Sequence, residues 1–168
     1  MSGNGCLIQK YKRVGGLAPV VVATAGVDSD IVSLRESEHI DIYIDMGALG
    51  SATYCRVTPY QGTAIATAAT AIVPVNMWIR NAAKARQTTI ASQGDYWLKT
   101  AWGANAYHDL TVANTSMCIS IDASELTATN WVFKVNLDSD NNTGPTAGVT
   151  IWGTSRKYGD QNTMIATA

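Results

Sequence analysis

The chain has 168 residues and a mass of 17.9 kDa, which fits one domain that buries about 70% of its unfolded surface without help from metals or disulfides. Twelve Lys and Arg stand against thirteen Asp and Glu, and only 15% of residues are charged, which excludes the electrostatic footprint of a general nucleic-acid binder. The 46% hydrophobic content excludes disorder of the whole chain, and no apolar run approaches the roughly 18 residues of a membrane helix.

Residues 1–16 carry four glycines around a basic patch, Lys10, Tyr11, Lys12 and Arg13. They read as an extended N-terminal arm or a loosely attached first strand, and the Gly-rich flanks predict ordering only on assembly. The basic residues follow the short apolar stretch instead of preceding it, so no secretory signal is expected and synthesis in the cytoplasm is. Residues 17–168 read as a single body. Ala and Thr, 23 and 19 copies, make a quarter of the chain, while Glu, Leu and Lys are scarce. Together with Val, Ile, Trp and Tyr this predicts a mostly β protein.

In chain order, Ala18–Thr24 is a compact strand closed by a turn at Gly26–Asp30, and Ile31–Arg35 adds a short one. His39–Met46 alternates without a break. Ile40, Ile42, Ile44 and Met46 share one face, and His39, Asp41, Tyr43 and Asp45 the other, as in a strand dry on one side and wet on the other. Ala52–Thr58 alternates again and ends at Pro59. Gln61–Ala71 reads as a loop, and Ile72–Arg80 as a strand with a Pro near its start. Thr88–Ser92 and Asp95–Trp102 follow around Gln93-Gly94. Met117, Ile119 and Ile121 alternate with Cys118, Ser120 and Asp122. Asp122–Leu126 is a single turn, with Glu125 completing a capping-box pattern. Trp131, Phe133, Val135 and Leu137 share a face opposite Lys134 and Asn136. A polar turn, Ser139–Pro145, leads to the last strand, Val149–Arg156. Eight or so short strands separated by Gly, Pro, Asn and Asp turns describe a β-sandwich or barrel.

Nothing here has the pattern of a catalytic site, and no cofactor is expected. His108 and Asp109 are adjacent, so in a strand they point apart, and no nucleophile motif lies beside them. Cys6, Cys55 and Cys118 lack the spacing of a zinc site or a disulfide framework. Asp138, Asp140 and Asn142 alternate as calcium ligands would, but Thr143 and Val149 stand where an EF-hand needs Gly and Glu, and an Asx-rich turn explains them. Aromatic side chains anchor protein interfaces. Trp131 and Trp152 fall on strand patterns, as core or interface. Trp78, Trp97 and Trp102 are left as candidate contacts, with Lys10, Tyr11, Lys12 and Arg13 as a basic element able to cross an acidic neighbour.

From Ser51 to Tyr158 the chain resembles the auxiliary (decoration or cement) proteins of tailed-bacteriophage capsids. The features that carry this are Gln61-Gly-Thr-Ala64 with its Ala/Thr-rich continuation, Asn76-Met-Trp-Ile-Arg-Asn81, Ile119-Ser-Ile-Asp-Ala-Ser-Glu-Leu126, Trp131-Val-Phe-Lys-Val-Asn-Leu137 and Val149-Thr-Ile-Trp-Gly-Thr-Ser-Arg156. The resemblance implies a jelly-roll-like β-sandwich on the outer surface of the virion. Such a protein forms dimers or trimers and clamps neighbouring major capsid subunits, with no catalytic residues, no direct contact with nucleic acid and no membrane. Two alternatives are a tail or head–tail connector subunit, and a glycan-binding module using exposed Trp and Tyr.

Overall fold

The computed structural model describes residues 11–34, 39–64, 68–74, 76–81, 97–127, 129–154 and 166–167. Two antiparallel sheets pack face to face. The first contains, in spatial order, β1 (Tyr11–Val21), β12 (Thr146–Thr154), β4 (His39–Met46), β10 (Thr115–Asp122), β7 (Asn76–Asn81) and β8 (Leu98–Lys99). The second contains β13 (Ala166–Thr167), β3 (Ile31–Ser33), β11 (Val132–Ser139), β5 (Cys55–Gly62) and β6 (Thr70–Ala71). Here β2 (Val27–Asp28) also pairs with β11, and β9 (His108–Leu110) with β5.

The pairings are nested: β1 with β12, β3 with β11, β4 with β10, and β5 with β9. This is an antiparallel ribbon rolled into two sheets, the wiring of a jelly roll. The segment β6–β8 is inserted between β5 and β9, and its β7 and β8 extend the first sheet past β10.

The core lies between the sheets. The alternation of β4 is realised as read: Ile40, Ile42, Ile44 and Met46 are buried, while the other four residues face outward. Met117, Ile119 and Ile121 of β10 and Phe133, Val135 and Leu137 of β11 join them. Trp131, grouped with this β11 face by its spacing, lies just before the strand and is half-buried, whereas Val132 is buried.

Several details differ from the sequence reading or decide between its alternatives. Tyr11–Gly16, read as part of an arm or of a loosely attached first strand, form the first half of β1, paired along β12, and Lys10 lies outside the described residues. Gly16 permits this, because a side chain there would strike the Val149 carbonyl. Its amide also donates to the Asp30 carboxylate at 3.1 Å, tying β1 to the loop before β3. Val27–Asp28, read as turn, is β2. The strand expected to stop at Pro59 runs on to Gly62. Pro59 accepts from the Ile72 amide on the side of β5 away from β11, so its missing N–H falls between the last β9 rung at Val57 and the first β6 rung at Tyr60. Gln61, read as loop, is buried, and its amide donates to and accepts from Thr127. The Thr88–Ser92 strand lies outside the described residues.

Candidate functional site

The odd-numbered residues of β4 face outward, so the register of the first sheet lays out its outer surface in rows. One row runs Arg13, Trp152, Asp41, Ser120, Asn76. The next runs Thr150, Tyr43, Cys118, Trp78, Lys99. A third runs Gly148, Asp45, Ser116, Arg80. Thus Trp152, Tyr43 and Trp78 stand on neighbouring rows of one face, interleaved with short polar residues.

Two ring contacts complete the surface. Trp97, just before β8, meets Tyr43 edge-on with centroids 6.2 Å apart. The Lys99 ammonium sits 5.9 Å from the Trp78 ring. Cys118, between Tyr43 and Trp78 in the register, is only 8% exposed although it points away from the core. Burial is the largest influence on its thiol and pushes the pKa up to about 11. Hydroxyls serve the carboxylates: Ser116 donates to Asp45 at 2.6 Å, and Ser120 donates to Asp41. At the end of the sheet His39 lies between Asp122 and Asp41.

The outer face of the second sheet is built differently. Arg56 of β5 makes two bonds to Asp109 of β9, at 2.8 and 3.1 Å. Its guanidinium lies 3.8 Å from the Tyr107 ring centroid and 4.8 Å from that of Tyr54. The bonds to Asp109 hold the Arg56 pKa above its ordinary value. Asp138, opposite Arg56 on β11, has its pKa raised by burial and by Asp109, against the pull of Arg56. Further along, Lys134 pairs with Asp28 at 2.6 Å and sits 5.6 Å from the Tyr60 ring.

The candidate residues named from sequence separate. Trp78 and Trp97 share the first sheet's outer face. Arg13 is exposed and lies opposite Trp152 at that sheet's edge. Tyr11 and Lys12 pair through their backbones with Thr154 and Gly153. Trp102 does not join them. It is 6% exposed, packs 5.6 Å from the His108 ring and donates its indole N–H to the Asn105 carbonyl, so it belongs to the core. His108 and Asp109 do point apart, one to Trp102 and the other to Arg56. The calcium-like loop is an Asx turn. Asn141 accepts from the Thr143 amide and hydroxyl, Asp140 accepts from the Thr53 amide at 2.9 Å, and Asn142 accepts from Thr24. Among the described residues no three His, Cys, Asp or Glu gather as metal ligands would, and no helix is long and apolar enough to cross a membrane.

Tyr43 is the member of the face that sequence reasoning did not single out as a contact, and Trp152 was left open there as core or interface. Tyr43 was already visible on the wet side of the β4 alternation. No protein-family model matches this sequence, and no curated protein matches it significantly.

Proposed function

We propose that this chain is an adhesive structural protein that docks through the outer face of its six-stranded sheet onto neighbouring protein subunits. In the context its sequence resemblance suggests, those neighbours are major capsid subunits of a tailed bacteriophage. The chain then acts as a non-enzymatic clamp on the outer surface of the head, working as a dimer or trimer. The observation that carries the reading is the cluster of Trp152, Tyr43, Trp78 and Trp97 on one outward sheet face. Aromatic rings bring large apolar area at small conformational cost, and they dominate the energetics of protein interfaces. Many copies on a closed shell need only a modest contact each. The jelly-roll wiring is compatible with this role, but folds host many functions and the face carries the argument.

The test is cosedimentation of the purified chain with phage heads assembled without it. Saturable binding is expected, with restored resistance of the heads to heat. Tyr43→Ala and Trp78→Ala should weaken binding, and Arg56→Ala on the opposite face should not. Heads that bind nothing, or that are equally robust without the chain, sink the clamp.

A second reading rests on Trp97, which is 36% exposed against the Tyr43 ring on a face that also carries the hydrogen-bonded pair Asp45 and Ser116. A ring fringed with polar groups also suits a sugar, by stacking plus hydrogen bonds. Specific glycan-array signals lost in Trp97→Ala would favour a glycan-binding module. Ring stoichiometry in virion cryo-EM would favour a connector subunit.

A further inference from the structure

Both ring nitrogens of His39 face carboxylates. Nδ1 lies 2.7 Å from Asp122 Oδ1 and Nε2 lies 3.0 Å from Asp41 Oδ1. A neutral imidazole has one N–H and one lone pair, so it can serve only one of these acceptors and turns a lone pair toward the other. Only the imidazolium, with two N–H donors, satisfies both. His39 opens β4 and Asp122 closes β10, and the two are cross-strand partners at the end of the ladder.

We propose that His39 is a proton-operated latch, which ties the start of β4 to the end of β10 when doubly protonated and lets Asp122 go when one proton leaves. The asymmetry of the two carboxylates decides which is released. The Asp41 side chain is 18% exposed and keeps a bond from Ser120. The Asp122 side chain is 53% exposed and returns to water at little cost. Asp122 also precedes the single 3₁₀ turn Ala123–Glu125, and its amide donates to Glu125 at 3.4 Å, so release loosens that turn.

The groups facing the imidazole support the direction. Asp41 comes from β4 and Asp122 from β10, and Glu125 of the turn accepts from the Asp122 amide. In the neighbouring rungs β12 places Gly153 opposite Ile40 and Trp152 opposite Asp41, β7 places Asn76 opposite Ser120, and the cation in that row is Arg13 of β1, opposite Trp152. Burial disfavours the charge, but the bonds to Asp122 and Asp41 outweigh it and hold the His39 pKa above its ordinary 6.5. A raised folded-state pKa means that the stabilisation is complete below about pH 6.5 and is lost as pH rises through the folded-state value. The latch follows from the fold and does not depend on the docking role.

The experiment follows the His39 ring by NMR titration, with thermal melts of wild type, His39→Gln and Asp122→Asn between pH 5.5 and 9. The expected results are titration of His39 above 6.5, a lower value in Asp122→Asn, and a wild-type melting temperature that falls relative to His39→Gln across the same window. Amide exchange at Ile121–Leu126, corrected for its intrinsic pH dependence, should quicken in step. His39 titrating at or below 6.5, or a wild-type advantage equal at pH 5.5 and pH 9, overturns the latch. Should His39→Gln fail to fold, the wild-type titration and exchange still decide.

Discussion

The two outer faces of this sandwich solve the same problem in opposite ways. On the seven-stranded sheet each long cation has a carboxylate and a tyrosine: Arg56 has Asp109, Tyr54 and Tyr107, and Lys134 has Asp28 and Tyr60. Such a face is internally satisfied and suits water. On the six-stranded sheet the Asp41 and Asp45 carboxylates are met by serines, and the rings of Tyr43, Trp78 and Trp152 stand in rows that also hold Arg13, Arg80 and Lys99. The difference teaches that charge pairing finishes one surface, while the other keeps apolar area of the kind a partner can cover.

The comparison can be broken by swapping the roles of the faces. Arg56→Ala removes a two-pronged ion pair and two ring contacts and leaves Asp109 beside Asp138, so it should cost about 2 kcal/mol in denaturant melts. In a double-mutant cycle Asp109→Ala should add much less to that loss than it costs alone. Tyr43→Ala and Trp78→Ala should reverse the pattern, lowering partner binding roughly tenfold or more while costing only about 1 kcal/mol of stability. If Arg56→Ala abolishes docking and Tyr43→Ala spares it, the assignment of faces is inverted.

Thiol chemistry sharpens the same contrast. Burial pushes the Cys55 pKa up to about 12 and that of Cys118 to about 11, so in the native protein both should resist alkylation at pH 8. Tyr43→Ala should speed labelling of Cys118 and leave Cys55, inside the core, unchanged, as peptide mass mapping would reveal. The smallest effect is expected at Lys134→Met. Its partner Asp28 is half exposed, so the pair is worth at most about 1 kcal/mol. Burial raises the Asp28 pKa, but the bonds from Lys134 and Asn136 outweigh it and hold the value below the ordinary 3.8. The advantage of wild type over Lys134→Met should therefore be complete above about pH 4 and fade as pH falls below it.

Much of the architecture was legible because period-two alternation survives wherever one side of a strand is dry. His39–Met46 was readable residue by residue, and Phe133, Val135 and Leu137 nearly so. Legibility failed where a distant partner, absent from the local pattern, decides the outcome. Pro59 looks like a strand end until the gap between β9 and β6 accounts for its missing donor. Gln61 looks like linker until Thr127 clasps its amide from 66 residues away. The glycines near Arg13 left an arm and a loosely attached strand both open, and Gly16 is what lets β1 lie close to β12. Trp97 and Trp102 are five residues apart with no periodic pattern between them, so nothing local tells the surface ring from the buried one. The Arg56–Asp109 pair spans 53 residues and was equally invisible.

The position of β12 between β1 and β4 has a consequence for biosynthesis. As the polypeptide leaves the ribosome, the first long strand has no neighbour in its own sheet until residues 146–154 emerge. Closure of the sandwich must then wait for this last long strand, slow in the manner of folds dominated by distant pairings. Meanwhile the nascent Val14 and Val22 stay uncovered, and a stalled or shortened product would be a target for chaperones or proteases.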